Sequence, residues 1–152
     1  MDFGAVLKRE RLVSTGINVV LSAAFFLVVF GAQNRVLTFA DPDGFALDFL
    51  PQGGAISLMA ALVPSLLVRK ALRSGGALVL PTTGAILAQV ARMVVLGVLS
   101  AVVMAAICLL GPWSAMGWTA AFALKLVYGG ALGFAITHRA LMRLYGGGKG
   151  LL

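Results

Sequence analysis

Four apolar runs, each about twenty residues long, constrain this chain more than any other feature. They read "LVSTGINVVLSAAFFLVVFG" at 12–31, "FLPQGGAISLMAALVPSLLV" at 49–68 and "VARMVVLGVLSAVVMAAICLLG" at 90–111, with the fourth over 119–137. An α-helix rises 1.5 Å per residue, so about 20 residues reach across a hydrocarbon core of about 30 Å. Ten-residue segments of alternating polarity, the mark of a membrane barrel, are absent. The pattern predicts an all-α integral membrane protein with four transmembrane helices in an antiparallel bundle.

Composition supports the same reading. Charged residues make up 11% of the 152 residues and mean hydropathy is +1.02. A water-facing domain carries about a quarter charged residues. "KRER" precedes the first run as it would a signal peptide, but the apolar part exceeds the usual 7–15 residues, so a retained helix is expected. The net charge of +7 sits in short clusters between apolar runs rather than on an aromatic-interleaved basic face, so no nucleic-acid partner is expected.

Those clusters set a direction. Lys8, Arg9 and Arg11 precede the first helix, Arg69, Lys70, Arg73 and Arg92 fall between the second and third, and Arg139, Arg143 and Lys149 follow the fourth. The alternate loops hold Arg35 with Asp41, Asp43 and Asp48. Positive charge is retained on the cytoplasmic side, which predicts both termini inside (N-in/C-in); the expected location is a bacterial inner (plasma) membrane, which the charge pattern does not itself fix. Trp113 and Trp118 would then be anchors at the outer interface. Asp48 is expected to cap the second helix, with Pro51 in its first turn, and Pro64 to kink it. The linker 71–89 is expected at the inner interface, leading into an early-starting third helix, or else as a re-entrant loop enclosed by protein. Residues 146–152 read as a flexible tail, and the chain as one membrane domain over 1–152.

Lipid tails are as apolar as leucine, so helices in a bilayer associate by close backbone approach and interhelical hydrogen bonds. Residues four apart share a helix face. Each run carries a small or polar stripe at that spacing: Ser14, Asn18 and Ser22; Gly53, Ser57, Ala61 and Ser65; Gly97, Ala101 and Ala105; Ala121, Lys125, Gly129, Gly133 and Thr137. These stripes are the expected packing seams and interaction residues.

Lys125 stands inside the fourth run, about 10 Å from Trp118 by helical rise. Three roles fit it: a structural one, snorkelling outward or pairing with Asp48; binding of an anionic headgroup, cofactor group or partner carboxylate; and titration during transport. A proton relay wants a second titratable group within a span, and the carboxylates all lie at the N-terminal end or in the first outer loop. Asn18 is expected to join helices by hydrogen bonding, with contact to a quinone or lipid as the sharper alternative. Gln52 and Gln89 lie near the two interfaces.

Catalytic patterns are sparse. Cys108 is the single cysteine, so neither a disulfide nor a CxxC pair is available within the chain. One histidine, His138, cannot form a bis-histidine haem site or a histidine-rich zinc site, though it could ligate a pigment's central metal. The expected topology places it across the membrane from Asp41, Asp43 and Asp48, which breaks any Ser-His-Asp triad. "SGG" is not followed by the Gly-Lys-Ser/Thr of a phosphate-binding loop. The sequence thus points to a non-catalytic membrane protein without metal or cofactor, a subunit or assembly partner of a larger complex or of itself. The alternatives are a small homo-oligomeric transporter or channel lined by Lys125 and Asn18, and a lipid- or pigment-binding module.

Overall fold

The computed structural model describes residues 3–74 and 80–145. Four helices dominate: α1 (Phe3–Phe30), α2 (Phe49–Ser74), α3 (Thr83–Leu110) and α4 (Trp118–Tyr145). Each contains a stretch of 23 to 28 residues long and apolar enough to cross a membrane. Two short strands, β1 (Val36–Thr38) and β2 (Ala115–Gly117), lie in the loops at one end.

The helices outrun the apolar runs because helix formation does not stop where lipid stops. α1 begins at Phe3, ahead of residue 12, through "KRER", whose side chains all favour helix. α2 continues to Ser74. Within the linker expected over 71–89, residues 71–74 continue α2 and residues 83–89 form the early first turns of α3, so the third helix starts ahead of its apolar run. Thr82 explains the early start: its backbone is extended and its side chain accepts from the Ala85 N–H at 3.1 Å, as an N-cap does. Residues 75–79 of that linker, the tail 146–152 and Lys149 lie outside the described residues.

α2 and α4 form the centre, with α3 packed on α2 and α1 packed on α4; among the described residues α1 and α3 do not meet. Along α1, contacts with α4 run in reverse sequence order, from Arg11 with His138, through Ser14 with Thr137, to Phe26 with Phe122. α2 meets α3 in the same reversed sense, with Gly53 against Ala101 at one end and Arg69 bonded to Thr83 at the other.

The loop over residues 31–48 folds back over the helix ends. Gly31, at φ +74°, closes α1 and donates to the Leu27 carbonyl at 3.0 Å. β1 then pairs antiparallel with β2, Val36 opposite Gly117 and Thr38 opposite Ala115. Leu37, Phe39, Phe45 and Ala46 are buried beneath it. Phe26, Phe30, Phe39, Phe45 and Phe49 form a chain of ring contacts at 5.1 to 5.8 Å. Arg35 pairs with Asp43 at 2.7 Å, and the Asp43 carboxylate also accepts from the Thr38 N–H at 2.9 Å. The Thr38 amide, then the neighbouring Arg35, hold the Asp43 carboxyl below its ordinary value of 3.8.

Candidate functional site

Lys125 faces inward from α4 and is 1% exposed. Its Nζ lies 2.8 Å from Asp48 Oδ2, 3.8 Å from the Phe49 ring centroid and 5.0 Å from that of Phe45. The ammonium charge therefore meets one carboxylate and two negative ring faces. Phe45, Asp48 and Phe49 come from the folded-back loop and the start of α2, and the Phe45 N–H bonds the Thr38 carbonyl at 3.2 Å. Asp48 makes no capping bond at the start of α2. Its Oδ2 is turned to Lys125 instead, which corrects the sequence expectation.

A file of polar groups continues from this pair. Gln52 Nε2 donates to the Lys125 carbonyl at 3.3 Å and to Ser22 Oγ at 3.0 Å. Ser22 Oγ donates to the Asn18 carbonyl at 2.7 Å, and Asn18 Nδ2 donates to the Ser14 carbonyl at 2.8 Å. The Ser14 and Thr137 hydroxyls lie 2.6 Å apart, and Thr137 donates to the Ala60 carbonyl at 2.9 Å. At the far end, Arg11 Nη1 sits 3.4 Å from His138 Nδ1. On this file Asn18 Oδ1 and Gln52 Oε1 make no hydrogen bond among the described residues, and neither does Ser57 Oγ where α2 faces α3.

The small-residue stripes lie between helices. A Cβ on Gly97 would run into Ser57, and one on Gly53 would lie 2.9 Å from the Gly97 carbonyl oxygen and 2.8 Å from Ala101 Cβ. Gly129 makes room for Ser22, and Gly133 for Asn18. Ala61 and Ala101 are fully buried. Asn18, Ser22, Gly129 and Gly133 thus meet between α1 and α4, while Gly53, Ser57, Gly97 and Ala101 meet between α2 and α3.

The two tryptophans differ. Trp113 is 73% exposed, whereas Trp118 is half-buried, donates from Nε1 to the Gly31 carbonyl at 2.9 Å and stacks on Phe122. His138 lies thirteen positions beyond Lys125 on α4, about 20 Å by helical rise, far from the Asp48 end. Among the described residues, no three His, Cys, Asp or Glu side chains group as metal ligands.

Sequence reasoning assigned no role to Gln52 beyond its place near an interface, yet it ties α1, α2 and α4 together at 1% exposure. Its spacing was the available signal, since four residues after Asp48 it shares that residue's helix face. The ring enclosure by Phe45 and Phe49 had no comparable signal, because it depends on how the loop folds back. Comparison with protein-family models, with characterised proteins and with solved structures finds no match to this chain.

Proposed function

We propose that this chain is a non-catalytic integral protein of a bacterial inner membrane, with both termini cytoplasmic, that assembles with other membrane subunits or with copies of itself. One observation carries the reading. The one lysine deep within a span is closed in by Asp48, Phe45 and Phe49 of its own chain, rather than turned to a substrate path or a lipid face. The Gly, Ala and Ser stripes are likewise occupied by neighbouring helices of the same chain. They build the bundle, and docking falls to the outward apolar faces.

The orientation rests on charge. One end of the bundle holds Lys8, Arg9, Arg11, Arg69, Lys70, Arg73, Arg139 and Arg143, and the other holds Arg35 with three aspartates. Cationic loops stay on the cytoplasmic side. Native mass spectrometry after mild extraction tests the assembly role. Masses above that of the single chain are expected, and lone chains at every detergent concentration would contradict it.

A second reading, a small transporter or channel, is favoured by Asn18 Oδ1 and Gln52 Oε1, which make no hydrogen bond among the described residues along the interior file. Buried acceptors of this kind are commonly satisfied by water. A flux into proteoliposomes that Asn18→Ala abolishes without preventing insertion would support it; the absence of any flux difference between loaded and empty vesicles would exclude it.

A further inference from the structure

Near the arginine-rich end, α3 and α4 part to leave an outward-opening groove of ≈ 440 Å³. Arg92 of α3 and Arg143 of α4 both line it, together with Ala91, Met93, Val95 and Leu96. Both arginines are exposed, and neither makes a hydrogen bond or ion pair with another described residue. Two unpaired guanidiniums beside one apolar groove make a strongly cationic mouth over a greasy floor.

Depth matches that arrangement. Counting about 20 residues back from Leu110 along α3 reaches the hydrocarbon boundary near residue 90, which places Arg92 at that boundary. The same count forward from Trp118 ends near residue 138, so Arg143 stands about one turn beyond, among headgroups. The two guanidiniums bracket the phosphate layer. A guanidinium presents a planar fork that fits phosphate oxygens bidentately, and basic pockets between membrane helices suit anionic headgroups.

We propose that this groove binds an anionic phospholipid, its phosphate held between Arg92 and Arg143 and an acyl chain lying along Val95 and Leu96. The inference rests on the four-span reading and on these two arginines sharing one membrane face, but not on any partner subunit. Lone chains at every detergent concentration that still retain the lipid would sink the assembly role and leave this site standing.

The test uses the full chain in vesicles of equal parts phosphatidylglycerol and phosphatidylcholine, extracted mildly and weighed by native mass spectrometry. The unaltered chain should retain phosphatidylglycerol preferentially. The Arg92→Gln/Arg143→Gln pair should lose that preference about tenfold or more, whereas Lys70→Gln/Arg73→Gln, an equal charge loss elsewhere on the same face, should keep it. Val95→Trp, which crowds the groove with both charges intact, should also lower retention. No preference in the unaltered chain, equal losses from both charge pairs, or full displacement by millimolar inorganic phosphate would overturn the proposal.

Discussion

The hydroxyl of Thr137 on α4 donates to the backbone carbonyl of Ala60 on α2 at 2.9 Å. That carbonyl is four residues before Pro64, whose ring nitrogen has no hydrogen to give it. A carbonyl left open inside a bilayer costs several kcal/mol, roughly, because no water can reach it. α4 supplies the missing donor, and the helix break becomes a helix–helix contact.

Thr137→Val should therefore destabilise the bundle by about 0.6 kcal/mol, the average for hydrogen bonds between membrane helices, and by no more than about 1.7 kcal/mol, the largest such value. Pro64→Ala restores a donor within α2, so the valine substitution should cost clearly less in that background. Reversible unfolding in mixed micelles measures the four members of the cycle. Additive losses would mean that the threonine does not serve the open carbonyl.

The Lys125 and Asp48 pair gives a larger coupling. Lys125→Met leaves a largely buried carboxylate without its cation and should cost about 3–5 kcal/mol. Adding Asp48→Asn to Lys125→Met should recover most of that loss, since neither charge is then buried alone. The same unfolding assay reads both. A double variant no more stable than Lys125→Met would show that the pair does not hold the bundle together.

Glycine positions separate tight seams from open ones. Gly97→Ala pushes a methyl group into Ser57 and the Gly53 carbonyl and should cost about 1–3 kcal/mol or more as α2 and α3 are forced apart. Gly16→Ala meets nothing within 4 Å and should leave stability unchanged or slightly raised. Equal effects at the two positions would contradict the α2/α3 seam.

The four helices and the seam faces were legible because bilayer thickness fixes run length and close approach demands small side chains at every fourth position. Gly97, Ser57, Gly133 and Asn18 all lie on those stripes, but that Gly97 meets Ser57 and Gly133 meets Asn18 depends on which helices are neighbours, which neither rule fixes. Helix ends were only partly legible: an early start for α3 could be expected from the apolar half of the linker, but hydropathy did not single out Thr82 as the cap that sets it. The cover formed by residues 31–48 was hidden for a different reason. Val36, Leu37 and Thr38 make too short a strand to stand out, and β1 forms only because Ala115, Met116 and Gly117 arrive beside it from far along the chain. Asp48 illustrates a competition between local and distant partners, in which the buried ammonium of Lys125 takes the carboxylate from the backbone amides of α2.

Acid should loosen that cover at one carboxylate. Asp43 has a folded-state pKa depressed by the Thr38 amide and Arg35, so its contribution is present above 3.8 and is lost as pH falls through its lower folded value. Carboxyl NMR should place its titration midpoint below 3.8, and Asp43→Asn should remove the associated change at Thr38. A midpoint at or above 3.8 would contradict the contact.

Labelling of single cysteines by a membrane-impermeant maleimide tests the whole arrangement most directly. With Cys108 replaced by serine, Ser114→Cys reports the strand-bearing end and Arg73→Cys the arginine-rich end of the bundle. In intact cells, Ser114→Cys should react, and Arg73→Cys should react only after the membrane is opened. Reaction of both from the same side would contradict four crossings with the cationic end held in the cytoplasm.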